Sequence, residues 1–206
     1  MNEVNDLKAR IKQASQELFM QYGIRSISMD DLAAAIGISK KTIYQYFADK
    51  DSLVLEIVES MLDENTKACE ERKAIAENVI HESFLAIDIT MELFRSMNPM
   101  LVNDLYKYHP RAYKQFANHK NNYLFNTIKE NIIIGIAEGY YREDIDADHM
   151  ARFRVESILI PFSPDYYSKV NNSLAHIHLE LFYLFLYGIS TPLGYKLITK
   201  YKQQKK

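Results

Sequence analysis

A chain of 206 residues, 48% hydrophobic and 25% charged, is long enough to bury a real core and too apolar to remain disordered. Its formal net charge of −2 gives no global attraction to polyanions, so any nucleic-acid site must be local. A single cysteine, Cys69, excludes an intramolecular disulfide framework and a cysteine-based zinc site, and no apolar run approaches the ~20 residues of a membrane span.

The opening residues MNEVNDLKARIKQ lack the apolar stretch of a signal peptide, and a cytoplasmic location is expected. Leu7, Ile11, Ala14 and Leu18 recur at helical spacing until Gly23. Ser28 then stands three residues before Asp31, a capping-box pattern opening a short helix through Leu32, Ala33 and Ile36. Gly37 stops that helix, Ser39 caps the next through Ile43 and Phe47, and Asp49 caps a longer one. This longer helix carries Leu53, Ile57 and Met61 on one face and turns polar in its second half, as a connector would.

Residues 76–97 repeat apolar positions at Ile80, Phe84, Ile87, Met91 and Phe94 before Asn98-Pro99. A short helix ends before Pro110, and a long one runs through Tyr113, Phe116, Leu124 and Ile128 to Gly139. Asp146 caps a helix that stops near Pro161, Ser173 to Gly188 forms the next, and Pro192 starts the last. The expected fold is all-α, with about nine to ten helices. Residues 1–50 read as a small N-terminal three-helix domain, extending to about 65 with the connector, and 51–206 as a larger helical bundle.

The segment DLAAAIGISKKTIYQYF carries the functional signal. Ala33 is small where a second helix must cross, Gly37 suits a sharp turn, and Ile43 plugs the angle between the helices, a helix-turn-helix arrangement. Lys40 and Lys41 then fall in the first turn of the second helix, where its dipole disfavours cations. Alone they read as a solvated surface pair. Within a helix-turn-helix, those positions meet DNA, and phosphates reverse the unfavourable sign. Ser28 and Ser39 put hydroxyls and free N–H groups at two helix N-termini, both suited to phosphate oxygens. Thr42 offers a methyl to thymine or a hydroxyl to phosphate, and Tyr44 and Tyr46 are expected to point outward around the plug.

ISMDDLAAAIGISKKTIYQYFADKDSL resembles the DNA-binding signature of TetR/AcrR-family transcriptional regulators, and GYYREDIDADHMARF is a weaker echo of their C-terminal part. The resemblance implies DNA contacts at Ser28, Lys40, Lys41, Thr42, Tyr44, Tyr46 and Lys50, with Lys50 holding a phosphate from the start of the connector helix. It also implies a homodimer on a palindromic double-stranded operator, and a C-terminal domain whose ligand changes the spacing of the two reading heads.

The remainder suggests where partners sit. Met91, Phe94, Met97, Leu105, Tyr106, Tyr113, Phe116 and Tyr123 suit the lining of a pocket for a mostly apolar small-molecule effector, although each also fits plain core. SLAHIHLELFYLFLYGI has one formal charge, so part of it faces either the domain centre or a second subunit. With the preceding helix it supplies a candidate dimer seam at Phe153, Ser157, Ile177, Leu181, Leu184 and Phe185. His176 and Glu180 lack further ligands for a metal, and no nucleophile or phosphate-loop motif points to an enzyme or a cofactor. A repressor released by its effector is the expected function. The alternative is a helical carrier or sensor of apolar small molecules that does not bind DNA.

Overall fold

The computed structural model describes residues 2–169 and 173–204, with side chains from residue 6 onward. Among the described residues all regular structure is helical. The helices are α1 (Asn2–Tyr22), α2 (Met29–Ile36), α3 (Lys40–Tyr46), α4 (Lys50–Ala74), α5 (Val79–Ser96), α6 (Leu101–Tyr108), α7 (Pro110–Asn118), α8 (Phe125–Ala137), α9 (Ala147–Ser157), α10 (Pro164–Tyr167), α11 (Leu174–Ile189) and α12 (Pro192–Gln204). A π-helical turn, His119–Leu124, joins α7 to α8, so the long helix expected there carries a wider turn at its middle. The helix capped by Asp146 ends at Ser157, and Pro161 sits in a separate 3₁₀ turn, Ile160–Phe162. One isolated bridge pairs Tyr141 with Ser190.

The chain forms two compact units. The first comprises Met1–Asp63 with Ser96–Ala117, and the second Glu64–Arg95 with Asn118–Lys206. A single division near residue 50 or 65 therefore does not describe them. Helices α6 and α7 join the N-terminal unit because Leu101, Leu105 and Ala112 enter the same core as Ile11, Phe19, Leu32, Ile43, Phe47 and Leu53. An amphipathic stripe shows that a helix packs on something, but not which core receives it.

The second unit is built around Ile80, Phe84, Ile87, Ile132, Phe182, Leu186 and Ile198. Tyr141, 1% exposed, lies against Gly135, where an added Cβ would stand 2.2 Å from the ring; only a glycine permits this approach. The Tyr141 hydroxyl donates to Asn131 Oδ1 at 3.1 Å, and Asn131 Nδ2 donates to Val79 O and Glu82 Oε2, both at 2.9 Å. A buried phenol thus finds its partner, as burial requires.

Candidate nucleic-acid interface

The turn between α2 and α3 follows from its residues. Ser28 Oγ accepts the N–H of Asp31 at 3.2 Å while the Asp31 carboxylate accepts from Ser28 N at 2.7 Å, a reciprocal capping box. Ser28 Oγ also donates to that carboxylate at 2.6 Å, and these bonds hold the Asp31 carboxyl below the usual range. At the other end Gly37 adopts φ 75° and ψ 34°, and Ala33 O receives the N–H groups of both Gly37 and Ile38 at 3.0 Å. A Cβ at Gly37 would meet nothing within 4 Å, so this position needs glycine for its left-handed backbone rather than for space. Ala33 and Ile43 are both buried, at 6% and 0% exposure.

Ser39 caps α3 by accepting the N–H of Thr42 at 3.0 Å, and the two hydroxyls lie 2.8 Å apart. Lys40 Nζ pairs with Asp30 on α2 at 2.8 Å, which raises the pKa of the lysine. Lys41 is exposed and has no ion pair among the described residues; the first turn of α3 holds no acid. The unfavourable dipole contact is therefore partly offset at Lys40 and left standing at Lys41. Asp30 had no signal in the sequence, since its partner lies ten residues on and meets it only through the angle between α2 and α3.

Two expectations change. Tyr44 is 44% exposed, but Tyr46 is half-buried and packs on the first unit's core. Side chains two apart on a helix point about 200° from each other, so both cannot face outward. Lys50 turns inward as well. Its ammonium donates to Ile24 O and Ile27 O, both at 2.5 Å, and lies 5.6 Å from the Phe19 ring centre. Burial lowers its pKa, against the attraction of Asp104 and Asp31. Lys50 thus fastens the α1–α2 loop that leads to Ser28, with one ammonium N–H left for other partners.

Asp104 on α6, 5% exposed, braces the same loop by accepting the Arg25 N–H at 2.9 Å. Asp104→Asn removes a charge-assisted bond but keeps the shape. It is expected to lower stability by about 1 kcal/mol in denaturant unfolding.

The eight pocket candidates do not share one unit. Met97, Leu105, Tyr106, Tyr113 and Phe116 belong to the first, and Met91, Phe94 and Tyr123 to the second. Leu105 is core at 3% exposure, Tyr106 is 64% exposed, and the Tyr123 hydroxyl donates to Thr66 O at 3.2 Å. Of the dimer candidates, Phe153 and Leu184 are 53% and 69% exposed and Leu181 is half-buried. Ser157 on α9 and Ile177 and Phe185 on α11 are buried within their own chain: the Ser157 hydroxyl donates to Arg154 O at 2.7 Å, and Phe185 belongs to the second unit's core. Among the described residues no three His, Cys, Asp or Glu side chains converge on a possible metal, and no helix is long and apolar enough to cross a membrane.

A capped, partly exposed helix carrying two lysines behind a left-handed glycine turn is a helix-turn-helix, the arrangement with which proteins of this class enter the major groove of DNA. Residues 11–57 match the family described as bacterial regulatory proteins, tetR family. The chain is 35% identical over 111 residues to the uncharacterized HTH-type transcriptional regulator YvaF of Bacillus subtilis, across 50% of this chain and 55% of that protein. It is 24% identical over 165 residues to the HTH-type transcriptional repressor KstR2 of Mycobacterium tuberculosis, across 73% of this chain and 77% of the relative. A TetR-family regulator from Agrobacterium tumefaciens shares the fold, with a TM-score of 0.77 at 16% identity over 91% of this chain and 99% of that one. Residues 11–57 thus carry the helix-turn-helix domain of the tetR family of bacterial regulatory proteins, and the described chain has the fold of TetR-family regulators.

Proposed function

We propose that this regulator is a repressor that binds an inverted-repeat operator as a homodimer and is released by a mostly apolar small molecule. The observation that carries the DNA-binding part is the first turn of α3, where Lys40 and Lys41 flank a capped N-terminus facing solvent. In this reading both lysines and the α2 and α3 N-termini at Ser28 and Ser39 hold phosphates, while Thr42 and Tyr44 reach toward base edges. Lys50 supports these contacts from behind the loop, and Tyr46 holds α3 to the core. Repression is supported by the name of the Mycobacterium tuberculosis relative. A cytoplasmic site of action follows from the DNA target.

Dimerisation is supported by Phe153 and Leu184, large apolar side chains left open on α9 and α11. The effector must bind one arrangement of the dimer better than the other, since equal affinity for both shifts nothing. Leu184→Asp is expected to shift the chain toward monomer in light scattering. It should also weaken binding to a duplex carrying two half-sites by about tenfold, because one head then binds without its neighbour. An unchanged mass and affinity would remove α9 and α11 as the seam.

A further inference from the structure

The second unit buries a cation with no acid beside it. Arg154 on α9 is 7% exposed, and its environment, among the described residues, contains no carboxylate that pairs with it. Its Nη1 donates to Ser157 Oγ at 3.2 Å and its Nη2 to His178 Nε2 at 3.3 Å. A guanidinium only donates, so Nε2 must accept, and the ring proton of the neutral histidine sits on Nδ1. That Nδ1 is buried in a side chain of 0% exposure and has no hydrogen-bond partner among the described residues.

Aromatic rings close the surroundings. Phe94 meets the His178 ring edge-on at 5.0 Å and Phe162 at 4.9 Å. The guanidinium carbon lies 5.6 Å from the Phe182 ring centre and 5.9 Å from that of Phe185. Burial lowers the Arg154 pKa to about 10, so the group stays charged at neutral pH. Burial and then the neighbouring Arg154 lower that of His178 to about 3, so the imidazole stays neutral. The cluster therefore holds one positive charge and unused N–H donors. Cation–π attraction to two rings offsets only part of what it costs to strip water from a charge. A buried arginine kept for stability alone carries a carboxylate or a full set of acceptors, and among the described residues this one has neither.

We propose that Arg154 and His178 are the polar end of an effector site for an apolar carboxylic acid, the carboxylate seated on the guanidinium and the hydrocarbon body among the phenylalanine rings. The proposal rests on the reading of this chain as an effector-controlled regulator and names the effector's chemical class. A carboxylate supplies what the cluster lacks, acceptors without donors, and its two oxygens match the planar fork of arginine. A single negative charge balances the single cation, whereas a phosphate dianion would bring a second, unpaired charge among apolar rings. Few polar groups converging in an apolar lining is the usual composition of a small-molecule site.

The test uses the full chain and two acids, decanoate and 3-phenylpropanoate, each beside its carboxamide, in thermal unfolding. At least one acid is expected to raise Tm by about 2 °C or more while its carboxamide does not. In Arg154→Met this preference for the acid should vanish. Should that variant not fold, Arg154→Lys keeps the charge but loses the fork, and is expected to at least halve the shift. Equal shifts from acid and carboxamide, no shift from either acid, or an undiminished preference in the variant overturns the proposal. Binding of the wild-type chain to DNA, measured in the same buffers, separates the two readings. A chain that prefers the acids but binds no DNA refutes the regulator and keeps the site. A DNA binder indifferent to the acids does the reverse.

Discussion

Replacing Lys40 and Lys41 together by alanine is expected to weaken DNA binding about 100-fold at near-physiological salt, and to lower the slope of log K against log salt by about two. In the proposed complex each lysine would add one phosphate contact worth about tenfold, and each contact would release about 0.9 counterion. The two should not behave alike singly. Lys41 faces the α3 N-terminus with no acid nearby, so Lys41→Ala is expected to relieve the dipole conflict and raise stability by about 0.3–1 kcal/mol while losing DNA affinity. Lys40 must first leave Asp30, 2.8 Å away, to reach a phosphate. Asp30→Asn frees that ammonium in advance and is expected to tighten DNA binding about two- to fivefold. A titration by fluorescence anisotropy at several salt concentrations reads the affinities of all three variants, and denaturant unfolding reads the stability of Lys41→Ala. Unchanged affinity in the double variant would turn the α3 lysines into ordinary surface charges.

Below neutral pH the chain is expected to lose about 2 kcal/mol of stability between pH 7 and pH 5, through His178 alone. Its folded pKa, near 3, lies below the ordinary 6.5, so the unfolded chain binds the extra proton in the window between those values. Stability therefore falls as pH drops through that window, and is fully present above it. The first cause is burial and the second is the Arg154 charge, both of which penalise an imidazolium. Carboxylates whose pKa is lowered, such as Asp49 and Asp146, act on the more acidic side of this range. Chemical unfolding at pH 5, 6 and 7 should show the loss in the native chain and not in His178→Gln, which keeps a neutral acceptor toward Arg154. An identical slope in both would show that His178 takes up its proton without unfolding.

The features legible in the sequence are local ones. Ser28 with Asp31, Gly37 with Ala33, and Ser39 with Thr42 act over three or four residues, the reach of a helical turn, so residue type and spacing suffice. The plug at Ile43 follows from the same short frame. What spacing does not carry is the direction of long side chains and the meeting of distant segments. Lys50 reaches back 26 residues to Ile24 O, and Asp104 reaches 79 to Arg25 N. No periodicity announces either. Helices α6 and α7 read as part of the C-terminal bundle because they follow α5 in the chain, yet Leu105 and Ala112 fill the N-terminal core. Tyr46 was legible in principle, since its position two residues from an exposed Tyr44 turns it inward. Arg154 and His178 look like an ordinary charge and an ordinary core histidine until the fold brings them to 3.3 Å.

The most direct measurement is selection of bound duplexes from a random DNA library by the purified chain at near-physiological salt. An enriched inverted repeat is expected, with half-sites about one helical turn or more apart, as two α3 helices on a dimer require. Loss of that enrichment in the Lys40, Lys41 double alanine variant would tie it to the first turn of α3. No enrichment at any salt concentration would contradict the account, and the chain would then be a helical carrier whose helix-turn-helix no longer reads DNA.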